Sequence, residues 1–348
     1  MSCIGPIFER ILKNHKIIRS VFMKTIWRIF LGGVVVVVLA MLGGTIYIQS
    51  AFPKVGPSPV MKIEGNAEQI EHGRYLANHV TVCMDCHSKR DWTRYSAPPV
   101  SGTEGAGGEI FNQELGLPGV IYASNISPTG IGNWTAGDIY RAMTSGVREN
   151  GEPLFPIMPY LSYSHLDPRD AEAIIAYLLT LPHKSGTYPD HKLDFPMNLI
   201  VRTIPQPADP WTRPDTTDLV SYGRYITMIS GCSDCHTPMD HGEALEGMYM
   251  AGGQDFELPG VGIVRPANLT PDKMTGLGNW TEEMFVQKFT SMDPDLARDT
   301  PVEQGRFNTI MPWTMYAGMH EIDLRAIYAY LQTVPAVPHS VVKFTPEL

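Results

Sequence analysis

The chain is poor in cysteine and, over most of its length, poor in positive charge. Six of its 27 Lys and Arg residues and one of its 36 Asp and Glu residues lie in the first 53 positions, so residues 54–348 carry 21 basic against 35 acidic side chains, a net charge of -14. Nucleic-acid binding requires a basic surface and is excluded on this ground. A body this acidic suits partners with basic docking patches. Charged residues make up only 18% of the chain against 43% hydrophobic, which excludes wholesale disorder. A regular α/β alternation is also missing. The 29 prolines and 32 glycines point instead to helices joined by long irregular loops, in about two domains for 348 residues.

One stretch lacks charge altogether. Ile29 to Ile48 is 20 residues long and contains the run Val34–Val38, the length a helix needs to cross a bilayer. Arg10, Lys13, Lys16, Arg19, Lys24 and Arg28 precede it with only Glu9 opposed, so the positive-inside rule keeps the N-terminus in the cytoplasm and puts everything after Phe52 outside. A cleaved signal peptide is the rival. Gln49-Ser50-Ala51 is a poor cleavage site and the apolar run is long for a signal. Met23 is an alternative start to Met1, with Met23–Arg28 as a short basic flank.

Of the five cysteines, Cys3 falls on the cytoplasmic side and reads as an idle thiol; Cys83, Cys86, Cys232 and Cys235 belong to the exported part. Their surroundings are duplicated. Gly73-Arg74-Tyr75 precedes Cys83 as Gly223-Arg224-Tyr225 precedes Cys232. Ala106-Gly107-Gly108 matches Ala251-Gly252-Gly253, and Leu117–Val120 matches Leu258–Val261. Asn125–Pro128 matches Asn268–Pro271, Gly132–Thr135 matches Gly278–Thr281, and Ile157–Tyr160 matches Ile310–Trp313. Ala176-Tyr177-Leu178 matches Ala329-Tyr330-Leu331. The chain is thus a tandem duplication of a domain of roughly 130 residues. The expected division is a tail and transmembrane anchor over 1–53, a first domain over 54–190, a linker over 191–215 and a second domain over 216–348; six prolines between His183 and Asp215 mark the linker region.

The fold expected is mainly α. Helices are predicted over Tyr75–His87 and Tyr225–His236, ending at the cysteine motifs. Another should start at Thr135, with Asp138 completing a capping box, and run to about Met143. Asp167-Pro168 opens a further helix with Ile174, Tyr177 and Leu178 on one face; its counterpart uses Ile327, Tyr330 and Leu331. The stretches between lack periodicity and read as loops, which in so small a domain usually wrap something.

Cys83-Met84-Asp85-Cys86-His87 and Cys232-Ser233-Asp234-Cys235-His236 are both C-x-x-C-H, the spacing of c-type haem attachment. On one helical turn two thiols can each join a haem vinyl group, and the adjacent imidazole then faces the iron. Zinc would want two C-x-x-C pairs about 15–20 residues apart; these stand 149 apart, and a thioredoxin-like site lacks its α/β setting. Two covalently bound haems c are expected, with His87 and His236 as proximal ligands. For the opposite iron face, Met158 and Met311 occupy matching Met-Pro-aromatic positions; Met143, Met315 and Met319 are the local rivals. His72, His79, His165, His241 and His320 have no twin and are expected at the surface. Trp134 and Trp280 either donate to a haem propionate or pack the core, and Asn125 and Asn268 either hold a loop or touch a propionate.

From Asn66 to Pro335 these motifs together resemble the cytochrome c subunits of membrane-bound alcohol and aldehyde dehydrogenases and related diheme cytochromes c. The resemblance rests on Gly-Arg-Tyr before C-x-x-C-H, Asn-(Ile/Leu)-(Ser/Thr)-Pro, Gly130–Thr135 and Pro156–Tyr160. It implies two tandem class I cytochrome c domains after the N-terminal transmembrane helix, with His and Met axial ligands. The dehydrogenase subunits usually carry three haem domains; this sequence carries two. Three functions are then open. The first is a single-pass inner-membrane electron carrier whose haem domains lie in the periplasm, serving a respiratory chain through a dehydrogenase, a terminal oxidase or another cytochrome. The second is the electron-accepting subunit of an alcohol- or aldehyde-type dehydrogenase. The third, an enzyme such as a diheme peroxidase or thiosulfate dehydrogenase, needs an open iron, against which the paired Met residues argue; no catalytic residue is assigned.

Overall fold

A computed structural model describes residues 5–240 and 242–347, with side chains before Phe22 described only at His15 and Arg19. Met1, Cys3 and His241 lie outside the described residues. The chain divides into two units, Met1–Phe52 and Pro53–Leu348.

The first unit is a single helix, Gly5–Ala51. An 18-residue stretch within Phe22–Ala51 has a mean hydropathy of 2.5, and the helix is long and apolar enough to cross a membrane. Its apolar side chains are exposed on every face, Val34 to Val38 among them. The helix runs past both ends of the 29–48 segment because no Pro interrupts it between Phe22 and Phe52; its N-terminal extension accommodates Lys24 and Arg28, and Pro53 follows its end.

The second unit is largely helical and repeats one plan. In each half an opening helix (Ala67–Tyr75; Leu219–Ile229) crosses a closing helix (Pro168–Leu178; Glu321–Leu331). The crossing is made at glycine. A Cβ on Gly73 would lie 1.8 Å from the Ala173 carbonyl oxygen, and one on Gly223 would lie 1.8 Å from that of Ala326. The duplicated Gly-Arg-Tyr therefore places its glycine where only hydrogen fits. Leu76, Val80, Ile174 and Leu178 fill the core beside the first crossing, and Ile226, Ile229, Leu324 and Leu331 beside the second.

The predicted caps form. Thr135 Oγ1 accepts from the Asp138 amide at 3.1 Å, while Asp138 Oδ2 accepts from the Thr135 amide at 3.0 Å. The helix they open, Ala136–Ser145, runs two residues beyond Met143 and stops at left-handed Gly146. Asp167 caps the first closing helix through the Arg169 amide, with Pro168 in its first turn.

The helices expected to run unbroken into the cysteine motifs are interrupted. The first opens earlier, at an Asn66 cap, widens into a π-helical turn over Leu76–Val80 and breaks at left-handed Val82 before Cys83–Cys86. The second opens at Asp218 and breaks at left-handed Gly231 before Cys232–His236. The π turn has a cause in the sequence: eight positions separate Tyr75 from Cys83 but seven separate Tyr225 from Cys232. The extra residue is absorbed as a wider turn. Gly231 takes its conformation without strain, whereas β-branched Val82 at φ 43° stores roughly 1–3 kcal/mol.

Among the described residues the irregular stretches contain three small sheets, one of them the antiparallel pair Met239–Asp240 and Glu243–Ala244. In one three-stranded sheet Gly119–Tyr122 pairs with both Ile110–Phe111 and Lys192–Leu193, and in the other Gly262–Val264 pairs with both Phe256–Leu258 and Phe344–Pro346, all antiparallel. Each half thus ends by returning a strand to its own hairpin. In the first half that strand comes from the start of the proline-rich 191–215 segment.

The halves also exchange side chains. Tyr75 Oη donates to Asp323 and accepts from the His320 amide; Tyr225 Oη donates to Asp170 at 2.6 Å and accepts from the Asp167 amide at 3.0 Å. Each Gly-Arg-Tyr tyrosine therefore bonds the first turn of the other half's closing helix.

Candidate functional site

The left-handed residue before each cysteine motif turns the chain so that four or five residues form a short helix, with its histidine at or beside the last position. Cys83, Cys86, Cys232 and Cys235 are half-buried and form no disulfide. Burial pushes all four thiols up, Cys86, Cys232 and Cys235 to about 12. Thiolate redox chemistry needs the opposite shift, so a thioredoxin-like role is disfavoured. Among the described residues no three His, Cys, Asp or Glu side chains group as a metal cage would require.

The two histidines are held alike. His87 Nδ1 lies 2.7 Å from the Ser124 carbonyl oxygen, and His236 Nδ1 lies 2.7 Å from that of Ala267. A carbonyl only accepts, so Nδ1 carries the proton and Nε2 keeps its lone pair. Burial lowers the pKa of both rings, His236 to about 4, against a smaller upward pull from the carbonyls. Both are neutral near pH 7, the form that ligates iron.

Two further duplicated motifs serve this contact. The Gly107 amide donates to the His87 carbonyl at 2.9 Å, and the Gly252 amide to that of His236 at 2.7 Å. Both glycines are left-handed and press on the carbonyl strand: a Cβ there would lie 2.6 Å from the Ser124 carbonyl carbon, or 2.5 Å from that of Ala267. Asn125 and Asn268 then lock that strand. Asn125 accepts from the Ser127 amide and hydroxyl and donates to Lys184 O at 2.9 Å. Asn268 accepts from the Thr270 amide and hydroxyl and donates to Val337 O at 2.8 Å. The open choice for these asparagines falls to holding a loop. The roles of Ala-Gly-Gly, Ser124 and Ala267 escaped the sequence, where their duplication was the one visible signal.

The methionine loops are also alike. Tyr160 N donates to Met158 O at 2.7 Å and Trp313 N to Met311 O at 2.8 Å, across Pro159 (φ -79°, ψ 48°) and Pro312 (φ -78°, ψ 62°). These are inverse γ-turns, which proline's fixed φ favours. Each leads into a one-turn helix whose tyrosine reaches back to the cysteine segment: Tyr163 Oη donates to Thr81 O at 2.5 Å and Tyr316 Oη to Ser230 O at 2.6 Å. The structure so ties each Met-Pro-aromatic loop to the residue two before its cysteine motif. Met158 and Met311 are half-buried at the edge of the core that Cys83 and Cys232 also border, whereas Met143, Met315 and Met319 are buried within it. Trp134 and Trp280 pack against the same core.

The halves differ beside the second cysteine. Buried Asp85 pairs with Arg90 at 3.1 Å, while Asp234 accepts from Ser162 of the first half at 2.8 Å. Burial raises both carboxyls to about 6. Of the described unpaired histidines, His320 is exposed as expected and stacks on Tyr75 at 3.8 Å between centroids, whereas His72, His79 and His165 are half-buried: His72 Nε2 contacts Asp170 at 2.7 Å, His79 Nδ1 contacts Met315 O at 2.8 Å and His165 stacks on Trp211. They lack twins because they take contacts particular to one side of the junction between halves.

Paired thiols beside a neutral imidazole with a free Nε2 are the groups that c-type haem attachment uses, and both halves supply them. No protein-family model matches the chain. It is 29% identical over 300 residues to the cytochrome c subunit of a quinone alcohol dehydrogenase from Gluconacetobacter polyoxogenes, covering 81% of this chain and 59% of that protein. It is 26% identical over 311 residues to the fructose dehydrogenase cytochrome subunit of Gluconobacter japonicus, covering 82% of this chain and 56% of that one. The chain thus spans a little over half the length of these relatives. The diheme c-type cytochrome of Cereibacter sphaeroides is 30% identical over 268 residues, covering 73% of this chain and 82% of its own length. The chain therefore belongs to the diheme c-type cytochromes, proteins of electron transfer that hold haem c covalently.

Proposed function

We propose that this cytochrome holds two haems c, on Cys83, Cys86 and His87 and on Cys232, Cys235 and His236, with Met158 and Met311 as the distal ligands. The observation that carries the reading is the matched pair of Nδ1–H bonds to Ser124 O and Ala267 O, which leaves both Nε2 atoms unprotonated. Haem c supplies a one-electron change at iron. The protein's part is to keep each imidazole neutral and aimed, to present the thioether from a proline-set turn and to keep water from the iron. Two class I cytochrome c domains, over 54–190 and 216–348, carry these groups, with 191–215 between them.

Phe22–Ala51 anchors the protein in the bacterial inner membrane, with the haem-bearing part in the periplasm. Trp27 and Tyr47 stand 20 residues apart on this helix, about 30 Å at 1.5 Å per residue, which matches the hydrocarbon thickness and the aromatic belts at its two faces. Electrons enter from a donor and leave to a terminal oxidase or another cytochrome of the respiratory chain. A second reading, the electron-accepting subunit of an alcohol- or aldehyde-type dehydrogenase, is favoured by the dehydrogenase subunits among the relatives. Copurification of a dehydrogenase with the haem-stained band would select it.

The ligand assignment has a direct test. Met158→Ala and Met311→Ala should each open one haem, giving carbon monoxide binding when reduced and loss of half of the near-infrared sulfur-to-iron band. Stoichiometric carbon monoxide binding by the wild type would overturn it.

A further inference from the structure

The duplication fails in two places, and the structure joins them. Between His87 and Ala106 lie 18 residues, against 14 between His236 and Ala251; between Ser145 and Ile157 lie 11, against 18 between Ser291 and Ile310. The first half's extra length meets the second half's. Tyr95 N donates to Thr300 O at 3.1 Å and Val302 N to Thr93 O at 2.8 Å, with a bridge between Arg94 and Pro301. Fully buried Asn308 accepts from the Ser96 amide at 2.9 Å and donates to Trp92 O and Arg94 O.

This clasp ends on the Met311 turn. Ser96, also fully buried, donates its hydroxyl to Met311 O at 2.6 Å and accepts from Trp313 N at 3.1 Å. It thus holds the turn's carbonyl on one side of Pro312 and its amide on the other. Thr309 Oγ1 accepts from Met311 N at 3.0 Å. Ser96 and Ala97 sit at φ 63° and 43°, a conformation costly for residues with a Cβ. It is held by the Arg90 guanidinium, which donates to Ala97 O at 2.9 Å and pairs with Asp85 inside the first cysteine motif. Among the described residues the Met158 turn has no such arm at the matching place; Leu154 N to Gly146 O and Met158 N to Phe155 O hold it from its own half, and the second half reaches only Ser162 of the helix that follows, through Asp234.

We infer that Ser96, carried by the first half, is a positioning residue for Met311, so that thioether ligation of the second haem depends on a first-half side chain bonded to the turn itself, a dependence the Met158 turn does not share. The inference rests on the assignment of Met311 as a ligand. Strain at Ser96 is retained because its hydroxyl must reach both polar groups flanking Pro312.

The test uses the full-length, haem-loaded protein and imidazole as the competing ligand, read by loss of the near-infrared sulfur-to-iron band. In a Met158→Ala background that band reports the second haem alone; in a Met311→Ala background it reports the first. Ser96→Gly removes the hydroxyl yet suits the left-handed backbone, so the fold is kept. It should lower the imidazole concentration for half-loss of the second haem's band by roughly fivefold, the equivalent of one neutral hydrogen bond. The first haem's band should not move. Thr309→Val should act in the same direction. If Met311→Ala removes one band but Ser96→Gly shifts neither titration, or shifts both equally, Ser96 does not position Met311. If Met311→Ala leaves both bands intact, the ligand assignment falls and this inference falls with it.

Discussion

Replacing Tyr225 with Phe tests whether the two halves are one folding unit. The hydroxyl is buried between the halves, donating to Asp170 Oδ2 at 2.6 Å and accepting from the Asp167 amide at 3.0 Å. Burial and the facing Asp170 carboxylate push the phenol far above its ordinary range, so it remains a donor at any physiological pH. Asp170 is itself buried, its other oxygen taking Arg213 at 2.7 Å and His72 at 2.7 Å. Tyr225→Phe removes one hydrogen bond to a charged group, about 1.5–3 kcal/mol, and strands a buried amide, for a total of about 3 kcal/mol. That is a large share of a typical net stability of about 5–15 kcal/mol. The assay is guanidinium unfolding of the haem-loaded protein in detergent, followed by far-ultraviolet circular dichroism and by the haem spectrum. Both signals should move together to lower denaturant, and Tyr75→Phe should repeat the result from the opposite side. A loss below about 0.5 kcal/mol, within the range of an ordinary surface substitution, would refute the reasoning. So would a transition that splits with only one half displaced.

Other outcomes follow from single contacts. Gly223→Ala would set a methyl carbon 1.8 Å from Ala326 O, so the opening and closing helices must part; a loss of about 3 kcal/mol and a reduced yield of two-haem protein are expected on haem-stained gels. Burial pushes the Asp167 carboxyl up, but hydrogen bonds from Arg169 and the Arg213 amide outweigh it and hold the group at about 2. Its folded pKa lies below the unfolded value of 3.8, so its stabilisation is present above pH 4 and is lost as pH falls toward 2. Asp167→Asn should flatten the acid-unfolding curve in that window and cost about 2 kcal/mol at neutral pH. A polypeptide starting near Pro53 behind a cleavable signal should be soluble and still red; recovery only in detergent would reveal a second membrane contact.

Motifs that act within a few residues were legible in the sequence. C-x-x-C-H, the Thr135–Asp138 box, the Asp167-Pro168 start and the uncharged 29–48 run each declare themselves by spacing, because the partner groups lie within a turn of one another. The duplication marked out Met158 and Met311 from 18 methionines by their shared flanks, and the structure gives both the same proline-set turn. Contacts between distant segments were not legible. Two identical Gly-Arg-Tyr triplets do not say that each tyrosine crosses to the other half's closing helix, since periodicity reports which face is buried and not against what. The left-handed break at Val82 was hidden for a related reason: a β-branched residue gives no local signal for a conformation that only the surrounding packing enforces. The histidine aim at Ser124 O and Ala267 O, the glycines that press on that segment and the Ser96 clasp on Met311 all join residues from 15 to 215 positions apart. Local chemistry in the chain set out the donor groups of each half, and tertiary packing alone decided which segments hold each methionine turn.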